Sequence, residues 1–96
     1  MVRNLINNNG NATANQFVIT TKKGIFFQSY QSVVCKIGTD DKVTLSSDWD
    51  YSATTRKYLY QFLGKHTRYV GLKKKDVLKL INDKTFKYNK KSSLAV

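Results

Sequence analysis

The sequence predicts an α+β fold: a small antiparallel β-sheet of three or four strands packed against one helix, with a second C-terminal helix. Three observations predict it. Apolar and polar residues alternate with period two between Gln16 and Ser46, the period lengthens to that of a helix after Trp49, and Gly- and Asp-containing breaks separate the runs.

Each element has its own justification. Residues 1–15 hold six Asn and few large apolar side chains, so little burial offsets the entropy of ordering them. They are expected to form a flexible Asn-rich arm, tethered at most at Leu5 and Ile6. Phe17 to Thr21 and Ile25 to Tyr30 are rich in β-branched and aromatic residues, and Lys22-Lys23-Gly24 between them supplies a glycine where a tight turn needs one. That is a hairpin, with Phe17, Ile19, Ile25 and Phe27 as the expected first core layer. Val33, Cys35 and Ile37 then alternate with Val34 and Lys36, Gly38 to Asp41 reads as a turn, and Val43 and Leu45 continue the alternation.

Helical spacing follows. Ser52 is the expected N-cap of a helix over 53–63, in which Thr55, Tyr58, Leu59, Phe62 and Leu63 share one arc, with Gly64 just past its end. Arg56, Lys57, Tyr60 and Gln61 fall on the opposite face. A second helix is expected over 74–82, with Val77, Leu78, Leu80 and Ile81 on one arc and Asp76 favourable in the first turn. Phe86 and Tyr88 alternate with Lys87 and suit a short edge strand. The single domain therefore spans residues 16–88, and 89–96 reads as a polar tail.

Size and composition restrict function. A chain of 96 residues leaves little room for a deep pocket and a separate substrate lobe, and its six acids are all Asp. No enzyme activity and no cofactor are expected. One cysteine, no leader-like start and no long apolar run together suggest a cytoplasmic protein without a membrane partner. Cys35 is the one thiol and His66 the one imidazole, too few ligands for a zinc site, and Cys35 falls among core residues. Asp48 and Asp50 flank Trp49 as paired carboxylates of a metal nuclease would, although capping and turn roles explain them more simply. No phosphate-binding glycine loop or nucleophile elbow is present.

The clearest functional signal is charge. Residues 1–48 carry five basic and three acidic side chains, whereas residues 49–96 carry twelve basic and three acidic, out of a net +11 for the chain. Basic residues interleaved with aromatics suit phosphate contact and base stacking. The candidate nucleic-acid-binding residues are Arg56, Lys57, Tyr60, Lys65, Arg68, Tyr69, Lys73, Lys74, Lys75 and Lys79, on one continuous surface. The interval between the two helices is too long for a helix-turn-helix.

Three segments also carry a resemblance. They are Asn11-Ala12-Thr13-Ala14-Asn15-Gln16-Phe17, then Gly24-x-x-Phe27-Gln28-Ser29-Tyr30-x-Ser32, then Trp49-Asp50-Tyr51-Ser52-x-Thr54-Thr55-x-Lys57-Tyr58 with Phe62-Leu63. On these, over about residues 11 to 64, the chain resembles a family of short proteins of unknown function from bacteriophages and mobile elements. The resemblance implies a viral or mobile-element origin and assigns no catalytic residue; after Gly64 the basic extension departs from it. The Tyr-Ser-x-Thr-Thr segment also suits a helix start, where its hydroxyls cap backbone donors or, beside Arg56 and Lys57, hold an anion. The expected function is a small basic phage or mobile-element protein that binds the DNA or RNA backbone. The alternatives are an inhibitor of an acidic host protein surface, such as an anti-CRISPR or other anti-defence protein, and a virion component.

Overall fold

Strand pairing in the computed structural model, which describes residues 1–96, follows chain order. β1 (Val2–Ile6), β2 (Ala12–Thr21), β3 (Gly24–Ser29), β4 (Ser32–Gly38) and β5 (Val43–Ser46) form an antiparallel meander, each beside its predecessor. A 3₁₀ turn (Ser47–Asp50) leads into α1 (Ala53–His66) and α2 (Lys74–Asn82), after which β6 (Lys87–Asn89) returns to lie parallel to β5. The α+β class holds, but the sheet is six-stranded and mixed rather than a three- or four-stranded antiparallel one.

One extra strand, β6, is the short edge strand that Phe86 and Tyr88 suit, and the other comes from a segment with a weak apolar pattern. The Asn-rich residues expected as an arm form β1 and the start of β2, anchored by Leu5, which is 1% exposed. Asn side chains also do the work of a loop: Asn7 Oδ1 accepts the backbone N–H groups of Asn9 and Asn11, and the Asn4 amide donates to the Thr13 carbonyl. A backbone rich in local hydrogen bonds needs less apolar burial to be ordered. The polar tail is likewise docked. Leu94 donates its N–H to the Val33 carbonyl, Val33 donates to Ser93 Oγ, and the Leu94 side chain is buried.

The core layer expected from the first hairpin is split by register. Val18 pairs with Phe27 and Ile19 with Phe26, so Ile19 and Phe17 lie on the face opposite Phe27 and Ile25. A bulge in β4 adds a second correction. Phe27 pairs with Cys35 but Gln28 with Val33, which leaves Val34 as the extra residue, facing inward beside Cys35 while Val33 turns outward. The inner face then carries Val18, Phe27, Val34, Cys35 and Leu45 against Leu59, Phe62 and Leu63 of α1 and Val77 of α2. Phe27 and Phe62 stack with ring centroids 5.6 Å apart and lock α1 to β3.

The helices follow their spacing with two differences. The buried stripe of α1 is the expected one, and Ser52 Oγ accepts the Thr55 N–H as its cap. Gly64 lies inside α1, which runs three residues beyond the expected 63 and ends at Thr67, whose hydroxyl donates to the Leu63 carbonyl. α2 has the expected limits, with Asp76 Oδ2 accepting the Lys73 N–H at its start. Leu78, however, is 49% exposed, so its buried stripe is Val77 with Leu80 and Ile81 at the edges.

Candidate nucleic-acid interface

The ten residues singled out by charge divide into three local settings. At the start of α1 the Arg56 guanidinium donates to the Asp50 carbonyl, 3.2 Å away, and Lys74 from the start of α2 forms an ion pair with the Asp50 carboxylate at 3.7 Å. Asp50 therefore ties α2 to the 3₁₀ turn instead of serving the N–H groups of α1. Tyr60 belongs to this cluster too. Its hydroxyl is buried without a hydrogen-bond partner, and burial pushes the phenol's pKa up, partly offset by Arg56. Its half-buried ring packs against the core, so of the expected face of α1 only Lys57 is fully exposed, with Arg56, Tyr60 and Gln61 partly covered.

The second setting is a cleft at the other end of α1. Lys65, His66, Arg68 and Tyr69 line it, with Asp41 from the β4–β5 turn. The Lys65 ammonium donates to the Ile6 carbonyl of β1, and Arg68 lies 5.3 Å from the Tyr69 ring centre. Tyr69 meets Phe86 edge-on at 5.0 Å, so one side of its ring is packed. His66 rests against Phe62, and its pKa is lowered first by burial and then by the charges of Arg3 and Lys65. Arg3 is a charge acting on His66 that the sequence did not indicate, because the pairing of β1 with β2 is what brings it to this side of the sheet. The third setting is the exposed run of Lys73, just before α2, with Lys75 and Lys79 on α2.

Asp48 and Asp50 take different partners rather than acting as a pair. Asp48 Oδ2 accepts the Ser32 hydroxyl at 3.0 Å, while Asp50 holds Lys74. The Cys35 thiol is fully buried, and burial pushes its pKa up, which keeps the thiolate needed for nucleophilic attack out of reach.

The sequence profile of the Family of unknown function (DUF8033) matches residues 1–79. The chain belongs to that family. The DUF8033 match runs from β1 into α2, beyond the Gly64 limit expected from motifs, and thus takes in the Lys65 to Arg68 cleft and Lys73 to Lys75. It stops short of β6 and the docked tail. No curated protein and no solved structure matches the chain.

The other cleft was not indicated by charge. Asn15, Ser29, Tyr30, Asp48, Tyr51 and Thr55 line a hollow of about 600 Å³ between the β3–β4 turn and the start of α1. The signal available for it was local: Tyr30-Gln31 forms a two-residue hairpin turn without glycine. Neither helix in this chain is long and apolar enough to cross a membrane.

Proposed function

We propose that this is a small, basic, non-enzymatic protein that binds nucleic acid mainly through phosphates, acting in the cytoplasm of a cell that carries a phage or mobile element. One observation carries the reading. Of 17 Lys and Arg side chains only Lys74 is in ion-pair contact with a carboxylate, so the charge of the chain is not neutralised internally. Concentrated unpaired cations cost stability through self-repulsion and favour an anionic polymer as partner. Lys65 and Arg68 beside the cleft, with Lys73 at the start of α2, Lys75 and Lys79 on it and Lys57 on α1, are the residues proposed to meet phosphates.

The test is a salt titration of binding to a labelled single strand and a duplex of the same sequence. If about five phosphates are neutralised on the duplex, log K falls against log salt with a slope of about −4 to −5. Changing Lys73, Lys75 and Lys79 to Ala is expected to reduce that slope by about 3, whereas Tyr60→Phe is expected to leave it unchanged. A slope near zero, or no binding at about 50 mM salt, would overturn the reading and point to the acidic protein surface as the partner.

A further inference from the structure

The hollow beside the β3–β4 turn differs from the basic cleft in having no Lys, Arg or His in its lining. Two tyrosines stand at its rim, Tyr30 at 53% and Tyr51 at 78% exposure. Its one charged side chain is a carboxylate, Asp48, which repels phosphate. At its base, Ser52 donates to Thr55 Oγ1 at 3.2 Å, and Thr55 and Ser29 share a buried bond at 3.0 Å. Three hydroxyls with two mutual bonds leave one hydroxyl hydrogen unused. Whichever way the Ser29–Thr55 bond runs, that hydrogen sits on one of these two residues, and both line the hollow.

Tyr30 holds its position against a local preference. The β3–β4 turn has two central residues, and the first, Tyr30, has φ +54°. Glycine is the favoured residue where the first central position alone has positive φ, and a bulky aromatic there is an outlier. Asn15, across the hollow, also has positive φ, +63°, and its carbonyl accepts the Tyr30 N–H at 2.7 Å. The Gln28 amide donates to the Tyr30 carbonyl at 2.7 Å and fixes the other side of the turn. Asn15 adopts this region readily, so the strain rests on Tyr30, a left-handed aromatic at the edge of a cleft, where such strain persists if the side chain is wanted for a contact.

We propose that this hollow takes a nucleobase carrying an exocyclic amine, from an unpaired strand whose phosphates lie on the basic surface. This deepens the proposed function and rests on it for the choice of ligand. Stacking accounts for two exposed rings, the carboxylate accepts from an amine, and the spare hydroxyl hydrogen meets a ring nitrogen or carbonyl. A cationic peptide would suit tyrosines and a carboxylate equally well in isolation, but a chain of net charge +11 repels it. Asp48 distinguishes among bases: adenine, cytosine and guanine bear the amine, uracil and thymine do not.

The experiment uses the full chain and free nucleosides, which carry no phosphate, so the hollow and the basic surface fail independently. Backbone amide shifts are followed on adding cytidine, adenosine, uridine or ribose alone at millimolar concentration. Cytidine and adenosine are expected to move Ser29 to Ser32 and Asp48 to Thr55, with uridine and ribose far weaker. No movement, equal movement with uridine, or equal movement with ribose would each overturn the proposal, even if oligonucleotides bind with a steep salt slope. In oligonucleotide binding, Tyr51→Ala and Tyr30→Gly are each expected to weaken an oligo-dC single strand by about five- to hundredfold at unchanged salt slope. Tyr30→Gly is also expected to keep or raise the melting temperature, because glycine suits that φ; a lower melting temperature with unchanged affinity would show that Tyr30 serves the fold instead. Asp48→Asn, which keeps an acceptor for Ser32, is expected to abolish the preference for oligo-dC over oligo-dT.

Discussion

Phe26 and Phe27 are adjacent in sequence, both wholly buried, and lie on opposite faces of the sheet. Phe27 lies under α1 in a core assembled from five strands, both helices and Phe86, whereas Phe26 lies in a cluster of four with Ile19, Val33 and Leu94. The inner cover is thus built from many elements. The outer one depends on a single leucine from an eight-residue tail, held by two hydrogen bonds to β4. Equal burial therefore does not mean equal support. The family match ends at residue 79, so the cover of the inner face falls almost wholly inside it and the Leu94 cover wholly outside.

The largest expected effect breaks the inner face. Phe27→Ala removes the stacking partner of Phe62 and is expected to cost about 3–5 kcal/mol in urea unfolding. Next comes the hairpin that sets the register of both faces. Gly24 has φ +142°, and a Cβ there would collide with the Ile37 carbonyl oxygen of β4. Backbone cannot move aside as a flexible side chain would, so Gly24→Ala is expected to cost about 2–4 kcal/mol. The outer face responds differently. Leu94→Ala is expected to cost about 2 kcal/mol and to couple with Phe26→Ala by about 0.5–3 kcal/mol, while remaining additive with Phe27→Ala. Additivity in both pairs would mean that the tail is not seated on Phe26.

How much of this was legible in the sequence depends on whether the deciding interaction is local. Period and caps are local, so the β2–β3 hairpin, the β5 pattern, the stripe of α1 and the limits of α2 follow from Gln16 onward. The bulge at Val34 is set by pairing with β3, and a one-residue shift moves Val33 to the other face although its own alternation points inward. The order of the first fifteen residues and of the tail is not legible locally, because it comes from Asn side chains and from a docking contact 61 residues away in sequence, between Leu94 and Val33. The same holds for the candidate surface. Charge counting locates Lys65 and Arg68 but not Arg3, whose charge acts on His66, and it counts Tyr60 as exposed although its hydroxyl is buried near the charges of Arg56, Asp50 and Asp76. Charge cannot indicate the Tyr30 hollow at all, since that site is marked by strain and hydroxyls.

A smaller effect concerns the length of α1. Gly64 is an interior helical residue, and a Cβ there would rest 3.9 Å from the Tyr69 carbonyl oxygen, an ordinary contact. Gly64→Ala is expected to stabilise the chain by about 0.5–1 kcal/mol through helix propensity. Destabilisation would mean that the residue terminates the helix, as its sequence position first suggests.

The smallest effect tests the basic cleft directly. Burial and the charges of Arg3 and Lys65 disfavour the protonated imidazole of His66 in the folded chain, while in the unfolded chain it takes up a proton near its ordinary value of about 6.5. The unfolded state then binds more protons as pH falls below about 6.5, so stability present above that pH is lost on acidification until His66 is protonated in the folded state too. His66→Gln is expected to flatten this part of the stability profile below about pH 6.5. Bound phosphate reverses the sign of the local field, because an anion beside Lys65 and Arg68 favours imidazolium. With an oligonucleotide in place, the His66 pKa is therefore expected to rise, and affinity is expected to increase as pH falls through the same window. An affinity independent of pH in that window would remove the cleft from the phosphate path and leave the α2 lysines to account for the salt slope.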